Sequence, residues 1–141
     1  MRDLPGKLTA EELAGLFEGR TRFVEQLAEL DDPLGQARAV AARLSDEEKK
    51  EVLDAHPAIG AKRLSARSAA EQGTDEAPEL EELNRLYEER FGFRFVVFVN
   101  RRPKSELVPI LRSRLESTLA EELATALDEL VSIAQDRWRR S

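Results

Sequence analysis

Only one stretch of this 141-residue chain has the composition of a β-strand, residues 93–100, FRFVVFVN, which are mostly aromatic and β-branched. A strand needs a partner to satisfy its backbone hydrogen-bonding groups, and the sequence contains no second segment of this kind. We therefore expect an all-α fold, a helical bundle in which this stretch is an extended, buried crossing segment. Because a chain of this length builds one hydrophobic core, we expect a single domain over residues 1–141.

Three segments open with a capping box, in which a hydroxyl accepts a backbone N–H and a carboxylate three residues later reaches back to the cap. The three pairs are Thr9 with Glu12, Ser45 with Glu48, and Thr118 with Glu121. Apolar residues at helical spacing follow these helix starts and predict which face of each helix is buried. The predicted core positions include Leu86, in a helix that stops at Gly92, and Leu119, at the start of the last and longest helix.

Charge and composition exclude several classes of protein. The formal net charge is -6, whereas a nucleic-acid binder needs a concentrated basic face, so we expect no nucleic-acid partner. There is no cysteine, which excludes disulfides and thiolate chemistry. The first residues lack an apolar core of signal-peptide length, and the longest apolar run, residues 95–99, is too short to span a bilayer. We expect a soluble, cytoplasmic protein that does not bind membranes.

The only histidine, His56, comes at the end of the helix that Ser45 begins, because Pro57 disfavours α conformation at the preceding residue. The negative end of a helix dipole favours the imidazolium form, so this position suits a proton donor or an anion contact. On the residues alone, a histidine that merely caps the last carbonyl groups is the simpler explanation of the position. A metal site is not expected, because one histidine without cysteines would leave only carboxylates as further ligands.

The other polar candidates also have structural explanations. Glu71 follows Ser68 by three residues, a fourth copy of the capping pattern, so helix initiation accounts for it without any chemistry. Arg137 lies near the end of the last helix, where a cation is favourable, and the basic residues 101–104 suggest a solvated turn. No glycine-rich phosphate loop or metalloprotease motif is present. The residues alone therefore indicate an acidic helical domain with one well-placed histidine.

Three motifs in order nevertheless carry a resemblance. The chain reads AHPAIG at residues 55–60, SAAEQG at residues 68–73 and LNRLYEERFGFRFV at residues 83–96. Together, with these separations, they resemble the 2-oxo-4-hydroxy-4-carboxy-5-ureidoimidazoline (OHCU) decarboxylase family of urate degradation. The similarity continues through Arg114 and Leu115 to Arg137, and so covers nearly the whole chain.

The resemblance implies an all-α, usually dimeric enzyme that needs neither a metal nor an organic cofactor. It implies the conversion of OHCU, a small-molecule substrate, into (S)-allantoin and CO2, with His56 and Glu71 as the catalytic pair. The residues that the resemblance assigns to the substrate pocket are Pro57, Ser68, Gln72, Arg137 and the segment Phe95, Val96, Val97, Phe98 and Val99, whose backbone groups would meet the heterocycle.

This chain departs from the family pattern at Ala58 and Ile59, where Asp-Leu is common, and at Arg94, where proline is common. Two other functions remain open at this stage. The chain could be a non-catalytic helical module that binds allantoin-like ureido compounds, or an enzyme that decarboxylates or hydrolyses a related ureido compound. Retention of both His56 and Glu71 favours catalysis.

Overall fold

The structure of the protein is a computed structural model that describes residues 3–56 and 79–140. These two ranges contain seven α-helices and no strand, which confirms the predicted all-α fold. The helices are α1 (Ala10–Phe17), α2 (Arg22–Ala28), α3 (Pro33–Ala42), α4 (Asp46–Asp54), α5 (Glu79–Phe91), α6 (Lys104–Arg114) and α7 (Leu119–Arg140).

The three predicted capping boxes are confirmed. At the start of α1, the Glu12 N–H donates to the Thr9 hydroxyl at 3.1 Å, and the Thr9 N–H donates to the Glu12 carboxylate at 3.0 Å. The same reciprocal pair forms at the start of α4 and of α7. Each box satisfies two backbone donors that a helix start leaves unpaired. The fourth copy of the pattern, Ser68 with Glu71, lies outside the described residues.

Helix α7 is the spine of the fold. Its 22 residues reach about 33 Å at the usual helical rise, and it packs against α1, α3 and α4. Helix α2 fills the space beside α1, α3 and α4, while α5 pairs with α6. Buried apolar side chains from all seven helices form one hydrophobic cluster. Within residues 3–56 and 79–140, no helix combines the length and apolarity needed to cross a membrane.

Two positions predicted to be in the core are exposed. Leu86 retains 38% and Leu119 retains 42% of its accessible surface. The buried face of α5 contains Leu80, Asn84 and Tyr87, and Leu86, one residue before Tyr87, is rotated about 100° away from it. Leu119 is the first residue of α7, at the end of the helix rather than along its packed length. The prediction of burial is wrong for both.

The strand-like stretch is the predicted extended crossing segment. Gly92, with φ 76°, ends α5 in the left-handed conformation that glycine adopts without steric cost. The following residues form neither helix nor strand, and most of their side chains are buried. The rings of Phe93 and Phe95 pack edge-on against Tyr87, with centroids 5.6 and 5.3 Å away. Aromatic packing thus holds the segment against α5.

A buried polar network anchors this segment to α5, α6 and α7. Arg114 donates through Nη1 to the Val96 carbonyl at 2.7 Å and through Nε to the Glu122 carboxylate at 2.7 Å. The Tyr87 hydroxyl donates to the same carboxylate oxygen at 2.5 Å. Burial, then this hydrogen bond, raises the pKa of Tyr87, so the phenol stays protonated. The network compensates the charges that it buries and fixes one peptide group of the crossing segment.

Candidate active site

His56 lies just after α4, and its backbone is held on both sides. Its N–H donates to the Leu53 carbonyl at 3.2 Å, and its carbonyl accepts from Arg94 Nη1 at 2.9 Å. The same Arg94 nitrogen donates to the Asp54 carbonyl at 3.1 Å, and the Arg94 N–H donates to the Asp54 carboxylate at 3.0 Å. Arg94, where the family pattern often has proline, therefore ties the end of α4 to the start of the crossing segment.

The imidazole of His56 is buried, with 5% of the residue exposed. Its Nε2 atom is inaccessible and finds no hydrogen-bond partner among the described residues. Burial first, and then the positive charge of Arg137, lower the pKa of His56 to about 4, although Glu18 acts in the opposite direction. The prediction that the helix dipole favours the imidazolium is wrong for the free protein, because desolvation and a nearby cation outweigh the dipole.

Arg137 comes from the far end of α7 and is also buried. Its Nη1 donates to the Leu16 carbonyl at 3.1 Å, and its Nη2 lies 3.1 Å from Glu18 Oε1. Leu16 and Glu18 belong to the end of α1, where Glu18 adopts a left-handed conformation with φ 65°. The carboxyl-terminal ends of α1, α4 and α7 therefore meet around one histidine, one arginine and one glutamate.

The crossing segment uses only some of its backbone groups internally. The carbonyl of Val96 accepts from Arg114, and those of Phe98 and Val99 accept from Arg102. In the described part of the chain, no hydrogen bond is made by the backbone groups of Phe95 or Val97. The prediction of a solvated turn is wrong for Arg102, which is half-buried and engaged in these bonds.

The structure thus describes part of the predicted site. It places His56 and Arg137 near one another and shows residues 95–99 as buried or half-buried. Pro57, Ser68, Glu71 and Gln72 lie outside the described residues, as do Ala58 and Ile59. In residues 3–56 and 79–140, histidine, aspartate and glutamate side chains form no group of three that could hold a metal.

Sequence reasoning missed two acidic groups, Glu122, which is buried, and Glu18, which is half-buried. Glu122 is 1% exposed, and a signal for it exists: it falls four residues before Ala126, on the apolar stripe of α7. A charged residue on such a stripe indicates a buried ionic partner. Glu18 carries no comparable signal, since it follows the last residue of α1 and its partner is more than a hundred positions away.

The depressed pKa of His56 predicts how stability depends on pH. The folded protein takes up this proton only near pH 4, whereas the unfolded chain takes it up near the ordinary value of 6.5. Between these values the unfolded state binds more protons, so the free energy of unfolding rises with pH. The stability that depends on His56 is fully present above about pH 6.5 and is lost as the pH falls towards 4. We expect His56 to cost the protein up to about 3 kcal/mol as the pH falls from about 7 to 4.

The measurement is urea unfolding across this pH range for the wild type and for His56→Asn, which lacks the titrating group. NMR of the tag-free protein follows the imidazole directly, since it is the only histidine. A midpoint near pH 4 is expected. A midpoint at or above 6.5, with the two proteins losing stability in parallel, would contradict the buried neutral imidazole.

The described geometry defines an all-helical protein whose candidate site is built around a buried histidine and a buried arginine. The family model of OHCU decarboxylase matches residues 7–139. The chain is 29% identical over 127 residues to the 2-oxo-4-hydroxy-4-carboxy-5-ureidoimidazoline decarboxylase of Haloferax volcanii, covering 84% of this chain and 76% of that protein. The chain belongs to the OHCU decarboxylase family, which confirms the resemblance.

Further comparisons agree in fold and in family. The chain is 30% identical over 142 residues to the uric acid degradation bifunctional protein PucL of Bacillus subtilis. The aligned region covers 90% of this chain but only 29% of that protein. A crystal structure of OHCU decarboxylase in the presence of (S)-allantoin superposes with a TM-score of 0.73 at 24% identity, covering 89% of this chain and 94% of that one. The fold is therefore that of OHCU decarboxylase.

Proposed function

We propose that this protein catalyses the cofactor-independent decarboxylation of OHCU to (S)-allantoin and CO2 in urate degradation. The observation that carries the proposal is the match of residues 7–139 to this family, in a chain whose His56 and Arg137 are both buried. The test is whether the purified protein accelerates CO2 release from OHCU generated in situ by oxidising urate. Binding of allantoin without any acceleration would instead favour the non-catalytic module.

The substrate itself explains why so few protein groups suffice. Its carboxylate is on C4, which also carries a hydroxyl, and C4 adjoins a ring carbon that is doubly bonded to nitrogen. When the C4–carboxylate bond breaks, its electron pair forms a C4=C5 bond, and the imine electrons move to nitrogen, which takes a proton from solvent. The resulting enol then loses its hydroxyl proton while C5 gains one. The imine accepts the electrons that a cofactor accepts elsewhere.

His56 is suited to the second half of this reaction. A neutral imidazole accepts the hydroxyl proton at one nitrogen, becomes imidazolium, and donates a proton to one face of C5. Arg137 holds the carboxylate before it leaves. After CO2 has left, the same cation stabilises the negative charge that develops on the enol oxygen as His56 accepts the hydroxyl proton. Glu71, as the partner of His56, accepts a hydrogen bond from the substrate hydroxyl while the carboxylate leaves, and the hydroxyl proton passes to His56 only afterwards.

The crossing segment supplies the edge of the pocket. In an extended chain, the backbone groups of successive residues point to opposite edges. The carbonyls of Val96 and Phe98 are engaged with Arg114 and Arg102 on one edge, which leaves the peptide groups of Phe95 and Val97 for the heterocycle. Pro57, Ser68 and Gln72 complete the pocket.

Glu71→Gln separates the catalytic role of Glu71 from a capping role. Glutamine at this position still reaches back to the cap N–H, but it carries no negative charge and accepts no proton. We expect the thermal midpoint to stay near that of the wild type while the rate of allantoin formation falls by at least ~10²-fold. A thermal melt and an initial-rate assay measure the two quantities.

Glu121→Gln is the matched control, because it makes the same substitution in the capping box of α7, where only capping is at stake. If Glu71→Gln decarboxylates OHCU at the wild-type rate, Glu71 has no part in the mechanism and His56 acts alone.

Metal independence is the expected result of exhaustive chelation. The chain has one histidine and no cysteine, and the substrate carries its own electron acceptor, so a metal has neither preferred ligands nor a task. We expect the initial rate in excess EDTA to equal that of the untreated enzyme. Loss of activity that a divalent cation restores would contradict this.

The homodimer and the cytoplasmic location belong to the same proposal and are supported by the family resemblance. Light scattering during size-exclusion chromatography tests the dimer, for which twice the 15.9 kDa chain mass is expected. A mass equal to one chain over the working concentration range would exclude it.

A further inference from the structure

Glu18 is a half-buried acid beside the site that the proposed chemistry does not use. Its side chain is 14% exposed and lies 3.1 Å from the guanidinium of Arg137, whose side chain is 3% exposed. The pair sits where the ends of α1 and α4 come close: a Cβ at Gly19 would lie 3.2 Å from the Cβ of Ala55, the residue before His56. The loop that carries Glu18 is thus packed directly against the loop that carries the histidine.

The backbone at Glu18 is in a conformation that glutamate does not favour. Its φ is 65°, in the left-handed region where glycine, and to a lesser degree asparagine, are the usual residues. Glycine follows immediately, at Gly19. The residue that usually adopts this conformation at a helix end is thus one position away, yet glutamate adopts it here. Backbone strain of this kind concentrates at functional sites, where the surrounding structure holds it in place.

We propose that Glu18 is a positioning residue for Arg137. Its carboxylate and the Leu16 carbonyl hold two different nitrogens of the guanidinium, and this fixes the plane in which Arg137 meets the substrate carboxylate. Glu18 also offsets part of the positive charge that Arg137 exerts on His56. Among residues 3–56 and 79–140, the charged groups that bear on the imidazole are Arg137 and Glu18, with Arg94 bound to the His56 carbonyl. This inference rests on the proposed role of Arg137.

Two substitutions separate positioning from folding. Glu18→Gln removes the charge and keeps the side-chain length. Glu18→Asn also removes the carboxylate but suits the left-handed backbone better, which should offset part of the stability lost when Arg137 loses its ion partner. We expect both variants to lower kcat/KM by about 10²-fold, the scale of a small misplacement at a reacting centre. The loss should appear mainly in KM, because Arg137 binds the carboxylate before it leaves. Glu18→Asp should recover part of it.

A double-mutant cycle with Arg137→Met tests whether Glu18 acts through the arginine. The expected result is strong non-additivity: Glu18→Gln should change kcat/KM little once Arg137 is gone. Full additivity, or wild-type KM in both single variants, would overturn the proposal.

NMR of His56 gives a readout that does not require turnover. Removing the Glu18 carboxylate should move the imidazole midpoint to lower pH, since that carboxylate favours the imidazolium. In the Arg137→Met protein, the midpoint should be higher than in the wild type. An unchanged midpoint in Glu18→Gln would overturn the electrostatic link. If these shifts occur in a protein that does not decarboxylate OHCU, the proposed function fails while the coupling of Glu18 to the site stands.

Discussion

Replacement of His56 by asparagine is expected to abolish decarboxylation almost completely while the protein stays folded. Asparagine keeps a polar group of similar shape at the end of α4, but it cannot exchange a proton near neutral pH. Loss of acid–base catalysis worth ~10²–10⁴-fold corresponds to about 3–5 kcal/mol in the activation barrier. The measurement is the initial rate of allantoin formation, corrected for spontaneous decay of the substrate.

Circular dichroism and urea unfolding at about pH 7 serve as the control for this variant. At that pH the buried imidazole is neutral, so an amide in its place should not change the charge of the core. A folded His56→Asn protein with near-wild-type activity would leave helix capping as the better explanation of His56.

Arg114→Met is expected to have the largest effect on stability. In the wild type, Cζ of Arg114 lies 4.6 Å from the centroid of the Phe95 ring, and methionine keeps much of this apolar volume. The substitution leaves the Glu122 carboxylate, which is 1% exposed, without its ion partner. Breaking one side of a buried ion pair costs about 3–5 kcal/mol, because an uncompensated charge remains inside. Urea unfolding at about pH 7 measures the change in the free energy of unfolding.

The double variant Arg114→Met with Glu122→Leu is the matched control. It removes both charges, so most of the lost stability should return. Its activity should stay below that of the wild type, because the Val96 carbonyl has lost its donor and the crossing segment is no longer held in place. A single Arg114→Met variant that loses less than about 1 kcal/mol would contradict a buried pair.

The helices were predictable from the sequence because their signals are local. A capping box such as Thr9 with Glu12 spans one turn, and the apolar stripe of α7 repeats every three or four residues. The extended path of residues 93–99 was predictable for the opposite reason, since a lone strand-like stretch has no partner. The motifs around His56 indicated the family. These features require no knowledge of tertiary packing.

The electrostatics of the site could not be predicted in this way. The helix dipole at His56 is a local property, whereas the burial and the Arg137 charge that outweigh it come from packing α7 against α1 and α4. The partnership of Glu18 with Arg137 joins residues more than a hundred positions apart and follows no spacing rule. The burial of Leu119 was mispredicted for a related reason, because periodicity does not show where neighbouring helices end. Leu86 was mispredicted because it lies beside the buried face of α5 rather than on it.

The handedness of the product tests the central claim most directly. OHCU generated in situ from urate decays without a catalyst to allantoin protonated on either face, so the spontaneous product is racemic. If His56 delivers the proton within a fixed pocket, the protein should release CO2 faster than the blank and yield (S)-allantoin, seen as an optical rotation that grows in step with CO2. A racemic product formed at the blank rate would contradict the account.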